Sequence, residues 1–186
     1  MKKSLLILLF IFISIQAKTL DFYKEDITFR LNPHTFYVDG LYYFQNNGNV
    51  NIKRLTYFPV DSSNNTLDSI QVFNLTKMHP VELRKKKSNG FLFNIEVNAN
   101  DSAIYQIKYQ QKIGSDSIKY ILESTLSWGR PLTSAVYKLI VDKSLRMENF
   151  TFKPDKVYDF EDSKVYLWKK EAFLPRDDLV FKFKIP

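Results

Sequence analysis

The chain has no cysteine, which excludes disulfides, thiolate metal sites and a cysteine-linked lipid anchor. A domain without such staples has its hydrophobic core to hold it together. Histidine is nearly as scarce: His34 and His79 are the two in the chain, each beside a proline, Pro33 and Pro80. Neither lies in H-E-x-x-H, no G-x-S-x-G occurs, and two imidazoles without a thiolate would leave carboxylates to complete a zinc site. Both histidines read as turn residues, and no metal is expected. The five glycines are scattered and form neither G-x-G-x-x-G nor G-x-x-x-x-G-K, so no nucleotide cofactor, and no cofactor of any kind, is indicated.

Long apolar runs are missing too, with one exception. Leu5 to Ile15 is apolar apart from Ser14, follows the basic start Met1-Lys2-Lys3 and precedes the small residue Ala17. That is the three-part layout of a secretory signal peptide. A run of this length falls short of the roughly 20 helical residues that cross a bilayer, so no integral membrane span is expected after processing. Residues 1–17 are expected to be the signal peptide and residues 18–186 a single exported domain, periplasmic or extracellular.

Without Lys2 and Lys3, twenty-five basic residues face twenty acidic ones, a net charge of +5. Acids and bases are interspersed, so a nucleic-acid partner is not expected. The one dense run, Arg84, Lys85, Lys86 and Lys87, adjoins a Ser-Asn-Gly turn and reads as a solvated hairpin end, with weak adhesion to anionic surfaces as its functional alternative.

What the chain has in quantity is aromatic residues, 16 Phe and 11 Tyr, set in short runs of alternating polarity. Alternation places successive side chains on opposite faces of a strand. Phe91, Phe93, Ile95 and Val97 share one face; so do Tyr105, Ile107 and Tyr109; Ala135, Tyr137, Leu139 and Val141; and Phe181, Phe183 and Ile185. Weaker strand signals run through 27–31, 36–44, 50–58, 69–75, 81–84, 118–125, 150–153 and 165–169. Asn-, Asp- and Gly-rich turns separate them. About a dozen short strands at this spacing predict an all-β, antiparallel β-sandwich, with no helix after the signal peptide. The lysines alternating along 181–185 are expected to protect a sheet edge.

Adjacent acids, Glu25-Asp26, Glu161-Asp162 and Asp177-Asp178, would point to opposite faces of a strand and so do not form a glycosidase pair; they read as loop residues. Trp128-Gly129-Arg130-Pro131 is more unusual. A tryptophan in a loop can stack on a sugar or cap a groove with Arg130 supplying hydrogen bonds, or it can fold back to plug the sandwich while Arg130 pairs with an acid. Trp168 reads as packing.

The stretches Leu41-Tyr42-Tyr43-Phe44-Gln45-Asn46-Asn47, Tyr57-Phe58-Pro59 and Tyr120-Ile121-Leu122-Glu123-Ser124-Thr125, the last followed by Trp128, Pro131 and Leu132, resemble an uncharacterised family of exported bacterial β-sandwich proteins, a domain of unknown function. In that family a Tyr-x-Phe-x-Asn-Asn strand precedes a Phe-Pro step, and a Tyr-x-Leu-x-Thr strand leads into a Trp and Pro loop. The matching stretches cover about a third of the mature chain, and Glu123 to Leu126 departs from the family's Thr-Gly step. The resemblance implies architecture and export and brings no activity with it.

Export, β architecture and the absence of a catalytic motif point to a non-enzymatic binding or structural module of the cell envelope, with a protein or glycan partner and Trp128, Arg130 and Tyr120 as binding candidates. The alternative is a polysaccharide-directed hydrolase whose carboxylates come from separate strands. Two carboxylates about 5 to 10 Å apart in one cleft would distinguish it.

Overall fold

The computed structural model describes residues 20–63 and 65–184, and the expected signal peptide, residues 1–17, lies outside the described residues. Where the alternation is strongest the chain is extended. In chain order the strands are β1 (Leu20–Leu31), β2 (Thr35–Asn46), β3 (Ile52–Pro59), β4 (Thr66–Asn74), β5 (His79–Pro80), β6 (Leu83–Lys87) and β7 (Gly90–Val97). They continue with β8 (Ser102–Lys112), β9 (Ser117–Tyr120), β10 (Leu132–Asp142), β11 (Arg146–Phe150), β12 (Lys156–Phe160), β13 (Ser163–Phe173) and β14 (Leu179–Lys184). The fold is all-β.

Eight strands form one sheet in the order β12-β13-β10-β1-β2-β8-β4-β5, and two three-stranded sheets, β11-β14-β9 and β3-β7-β6, lie against it. Aromatic contacts show which face is covered. Phe29 of β1 and Phe36 of β2 meet Phe181 of β14 with ring centroids 5.4 and 6.0 Å apart. Tyr105 and Tyr109 of β8 meet Phe93 of β7 and Phe58 of β3 at 6.0 and 6.1 Å. Both small sheets therefore cover the same face of the large one, making a two-layer sandwich whose second layer is divided. Trp168, 1% exposed, closes one flank and donates its indole N–H to the Phe152 carbonyl at 2.8 Å.

The described ladders are antiparallel apart from β1 and β10, which run parallel with Lys24 opposite Ser134 and Leu31 opposite Val141. Parallel neighbours need a long crossover. Here it is the whole stretch from β2 to β9, which supplies one small sheet and part of the other. Buried Asn46 ties this crossover down: its amide donates to the carbonyls of Val50, Val97 and Asn98, joining the β2–β3 turn to the end of β7.

Several local expectations change; the strand expected over 150–153, for one, instead runs Arg146–Phe150. The strand expected to run to Thr125 stops at Tyr120, and a 3₁₀ helix forms over Glu123–Trp128. The Asp178 carboxylate holds its start by accepting the N–H groups of Leu122 and Glu123 at 2.8 and 3.1 Å, and left-handed Gly129 (φ 74°) ends it. β14 is the centre of its sheet rather than an edge, so Lys182 and Lys184 point to solvent from an interior strand. The signal around 81–84 runs on to Lys87, and β12, exposed along its whole length at the edge of the large sheet, has no half-buried alternation to announce it.

Candidate functional site

Because the second layer is divided, its two inner edges, β3 and β9, face each other without pairing. Between them opens a cavity of about 330 Å³ over β1, β2 and β8. β3 supplies one wall, from Arg54 to Pro59, and the end of β9 with the 3₁₀ helix supplies the other, through Tyr120, Thr125 and Trp128. Phe22, Tyr42, Phe44 and Ile107 of the large sheet form most of the floor, with Phe93 and Ile95 of β7 behind.

Trp128 is half-buried and packs on Phe22 and Phe44 with centroids 5.8 and 5.5 Å apart. The Arg54 guanidinium lies 4.6 Å from the centroid of the Trp128 ring, at the mouth. Two glycines make room for neighbouring rings. A Cβ at Gly40 would stand 2.7 Å from both the Tyr42 ring and the Ile27 side chain; one at Gly90 (φ +150°) would meet the Tyr57 hydroxyl at 2.6 Å. Glycine inside a strand often marks such a close approach.

The floor has one charged group. A bulge between Phe22 and Lys24 of β1 changes which residues face inward: Leu20 and Phe22 before it, Glu25, Ile27, Phe29 and Leu31 after it. Glu25 is thereby turned into the core, 2% exposed and lining the cavity, while Asp26 points to the opposite face and accepts the Tyr43 hydroxyl and the Lys24 ammonium. Tyr137 of β10 donates its hydroxyl to Glu25 at 2.5 Å, the one hydrogen bond to this carboxyl among the described residues. Beside it the hydroxyls of Tyr42 and Tyr120 bond each other at 2.8 Å. One proton bridges that pair, which leaves the second phenol proton to be donated elsewhere.

Burial governs the electrostatics. Loss of water pushes the Glu25 carboxyl from its ordinary 4.5 up to about 7; the Tyr137 hydrogen bond opposes this, and the charge of Asp26 adds to it. The Tyr42, Tyr120 and Tyr137 hydroxyls are held well above the usual phenol value by burial first and by the charge of Glu25. All three therefore stay neutral donors.

The structure brings Trp128 and Tyr120 together in this cavity and leaves Arg130 outside it, exposed and paired with Asp21 at 2.9 Å. Arg84, Lys85, Lys86 and Lys87 line the exposed edge strand β6, where Lys86 donates to the Asp68 carbonyl and Lys87 lies 5.9 Å from the Tyr57 ring centroid. Glu25 is the residue that sequence reasoning missed: its acid pair reads as a loop, yet it stands in a strand and faces the core. The signal was its phase, since Glu25 is two, four and six residues before Ile27, Phe29 and Leu31. The three stretches that carry the family resemblance converge here, through Tyr42 and Phe44, Tyr57 to Pro59, and Tyr120, Thr125 and Trp128. Among the described residues one carboxylate, that of Glu25, belongs to the cavity lining, so no pair of the kind a glycosidase uses is found among them there. Among the described residues no three His, Cys, Asp or Glu side chains group to hold a metal ion.

Fold and cavity together define a divided two-layer β-sandwich with a buried acid beneath an aromatic pocket. No family model and no curated protein matches the sequence. Solved structures match the fold. A Legionella pneumophila protein described as a "putative nutrient binding protein" superposes with a TM-score of 0.71 at 12% identity, covering 89% of this chain and 67% of that one. An M1 zinc metallopeptidase of Deinococcus radiodurans, bound to a Tyr-Ser-Ala substrate, superposes at 0.53 with 8% identity over 89% of this chain. A second structure of that peptidase gives 0.52. The chain spans 43% of the peptidase's length, and at these identities the likeness is one of fold.

Proposed function

We propose that this chain is an exported, non-catalytic binding module of the cell envelope, and that the cavity between β3 and β9 holds its ligand. The observation that carries this reading is the cavity itself: a preformed hollow of ligand size, walled by aromatic rings and supplied with a few polar groups at its floor. Trp128 and Tyr120 are then ligand-facing residues, while Arg130 lies outside the cavity, paired with Asp21. The description of the Legionella protein as nutrient binding agrees with a binding role.

A thermal-shift screen of the purified chain against amines, amino acids, sugars and short peptides tests it. Ligands are expected to raise Tm and change Trp128 emission, and a Thr56→Trp variant, which fills the cavity from β3, is expected to lose both responses. If no compound shifts Tm, or if shifts persist undiminished in the filled variant, the cavity is not the ligand site. Export is checked by mass spectrometry of chain recovered from the producing cells, which should lack residues 1–17.

A further inference from the structure

A buried carboxylate is costly unless a cation or several donors compensate it. Glu25 has one hydroxyl donor, and no Lys, Arg or His of the described residues pairs with it. Arg54, the basic residue in the cavity lining, is engaged over Trp128 at the mouth and makes no ion pair with Glu25. Glu25 nonetheless lines a cavity that a ligand can enter, and the rings around it present π faces, which attract cations. What the ionised carboxylate lacks is a positive charge beside it, and the cavity is a route by which one can arrive.

Resting on the binding reading above, we infer that the pocket selects ligands in which an apolar, ring-sized body bears a single protonated amine, with Glu25 as the counter-ion of that amine. Tyr137 orients the carboxylate from β10, and the free phenol proton of the Tyr42–Tyr120 pair can serve a hydroxyl or carbonyl on the ligand. Asp26, the neighbouring acid, faces the other side of the sheet with Lys24 and Tyr43 and does not share the cation. An anionic ligand meets a like charge at the floor, and a sugar finds too few polar partners along the walls. Arg54 at the mouth disfavours a second positive charge.

The test uses three probes that share a phenylethyl body: 2-phenylethylamine, its neutral counterpart 2-phenylethanol, and anionic 3-phenylpropionate. Each is titrated into the purified chain by calorimetry and by tryptophan emission, with Trp128→Phe to identify the signal. At pH 8 the amine is expected to bind about tenfold tighter than the alcohol or better, the difference a charge-assisted bond in a desolvated site provides. Amine affinity should fall about tenfold per pH unit below pH 7, because binding must then displace the proton on Glu25, and it should level off above. Glu25→Gln preserves shape and is expected to bind amine and alcohol alike, with no pH slope. If the wild-type chain binds amine and alcohol equally, or if Glu25→Gln keeps the preference, the amine assignment fails while the cavity stands as a binding site. If none of the three probes changes Trp128 emission, cavity and amine fall together.

Discussion

Replacing Glu25 by glutamine should make the free protein more stable, and by an amount that depends on pH. In the folded chain the carboxyl titrates near 7 instead of its ordinary 4.5. Each unit corresponds to about 1.4 kcal/mol, so ionised Glu25 costs the fold about 3 kcal/mol once the pH exceeds both values. The sign follows from proton binding: the folded state holds this proton more tightly than the unfolded state does. Stability is therefore unaffected below about pH 4.5, declines as pH rises through 7, and is level above. Glutamine has the same shape, can accept the Tyr137 hydroxyl and does not titrate. Urea unfolding of both proteins at pH 5 and pH 8.5 measures the difference, and the remaining acids cancel between them. A variant ahead by under about 1 kcal/mol at pH 5 and by about 3 kcal/mol at pH 8.5 is the expected result. A variant less stable at pH 8.5, or a difference that ignores pH, would show that Glu25 is ionised and compensated within the fold, and the reasoning about its missing partner would collapse.

Gly40→Ala forces a Cβ to within 2.7 Å of the Tyr42 ring and Ile27; a loss of about 1 to 3 kcal/mol in urea unfolding is expected, with weaker ligand binding as Tyr42 shifts. Tyr120→Phe leaves the buried Tyr42 hydroxyl without its partner and should cost about 1 to 3 kcal/mol by the same assay; no loss would mean that water replaces the bond. Arg130→Ala breaks an exposed pair with Asp21 and is expected to cost under about 1 kcal/mol, leaving ligand titrations unchanged. Changing Arg84, Lys85, Lys86 and Lys87 together to serine should shorten retention on an anionic resin at low salt, with the effect fading as salt rises, while Tm stays nearly constant because all four are exposed.

Architecture could be read from the sequence because half-buried strands advertise themselves. The inward residues of β7, β8 and β10 are apolar, Gln111 excepted, and most of the outward ones are polar, and that pattern survives with no knowledge of neighbours. β12 escaped for the opposite reason: Val157, Tyr158 and Phe160 are all exposed, so its polarity follows no face. The 3₁₀ helix escaped because a side chain 55 residues away in sequence, Asp178, fixes its start. Trp128 and Tyr120 could be singled out as a rare residue and a motif residue, but the proposed pocket also takes in Glu25, which a bulge in β1 turns inward. Counting alternation forward from Leu20 and Phe22 puts residue 25 on the solvent side; counting back from Leu31 puts it in the core. The sequence contains both phases and nothing local to choose between them.

The cavity follows from the division of the second layer. A strand between β3 and β9 would complete that layer, hydrogen-bond both exposed edges and bury the row Phe22, Tyr42 and Phe44 outright. It would also seal Glu25 beneath apolar side chains with a single hydroxyl for company. The chain instead crosses the gap with a short helix whose Trp128 covers part of the row and leaves the rest accessible. A carboxylate at the base of the gap is tolerable as long as the gap stays open to a proton or a cation. The unfilled seam and the buried acid therefore account for one another, which is why a variant that closes the seam, Thr56→Trp, and a variant that removes the acid, Glu25→Gln, should be less harmful in combination than the first is alone.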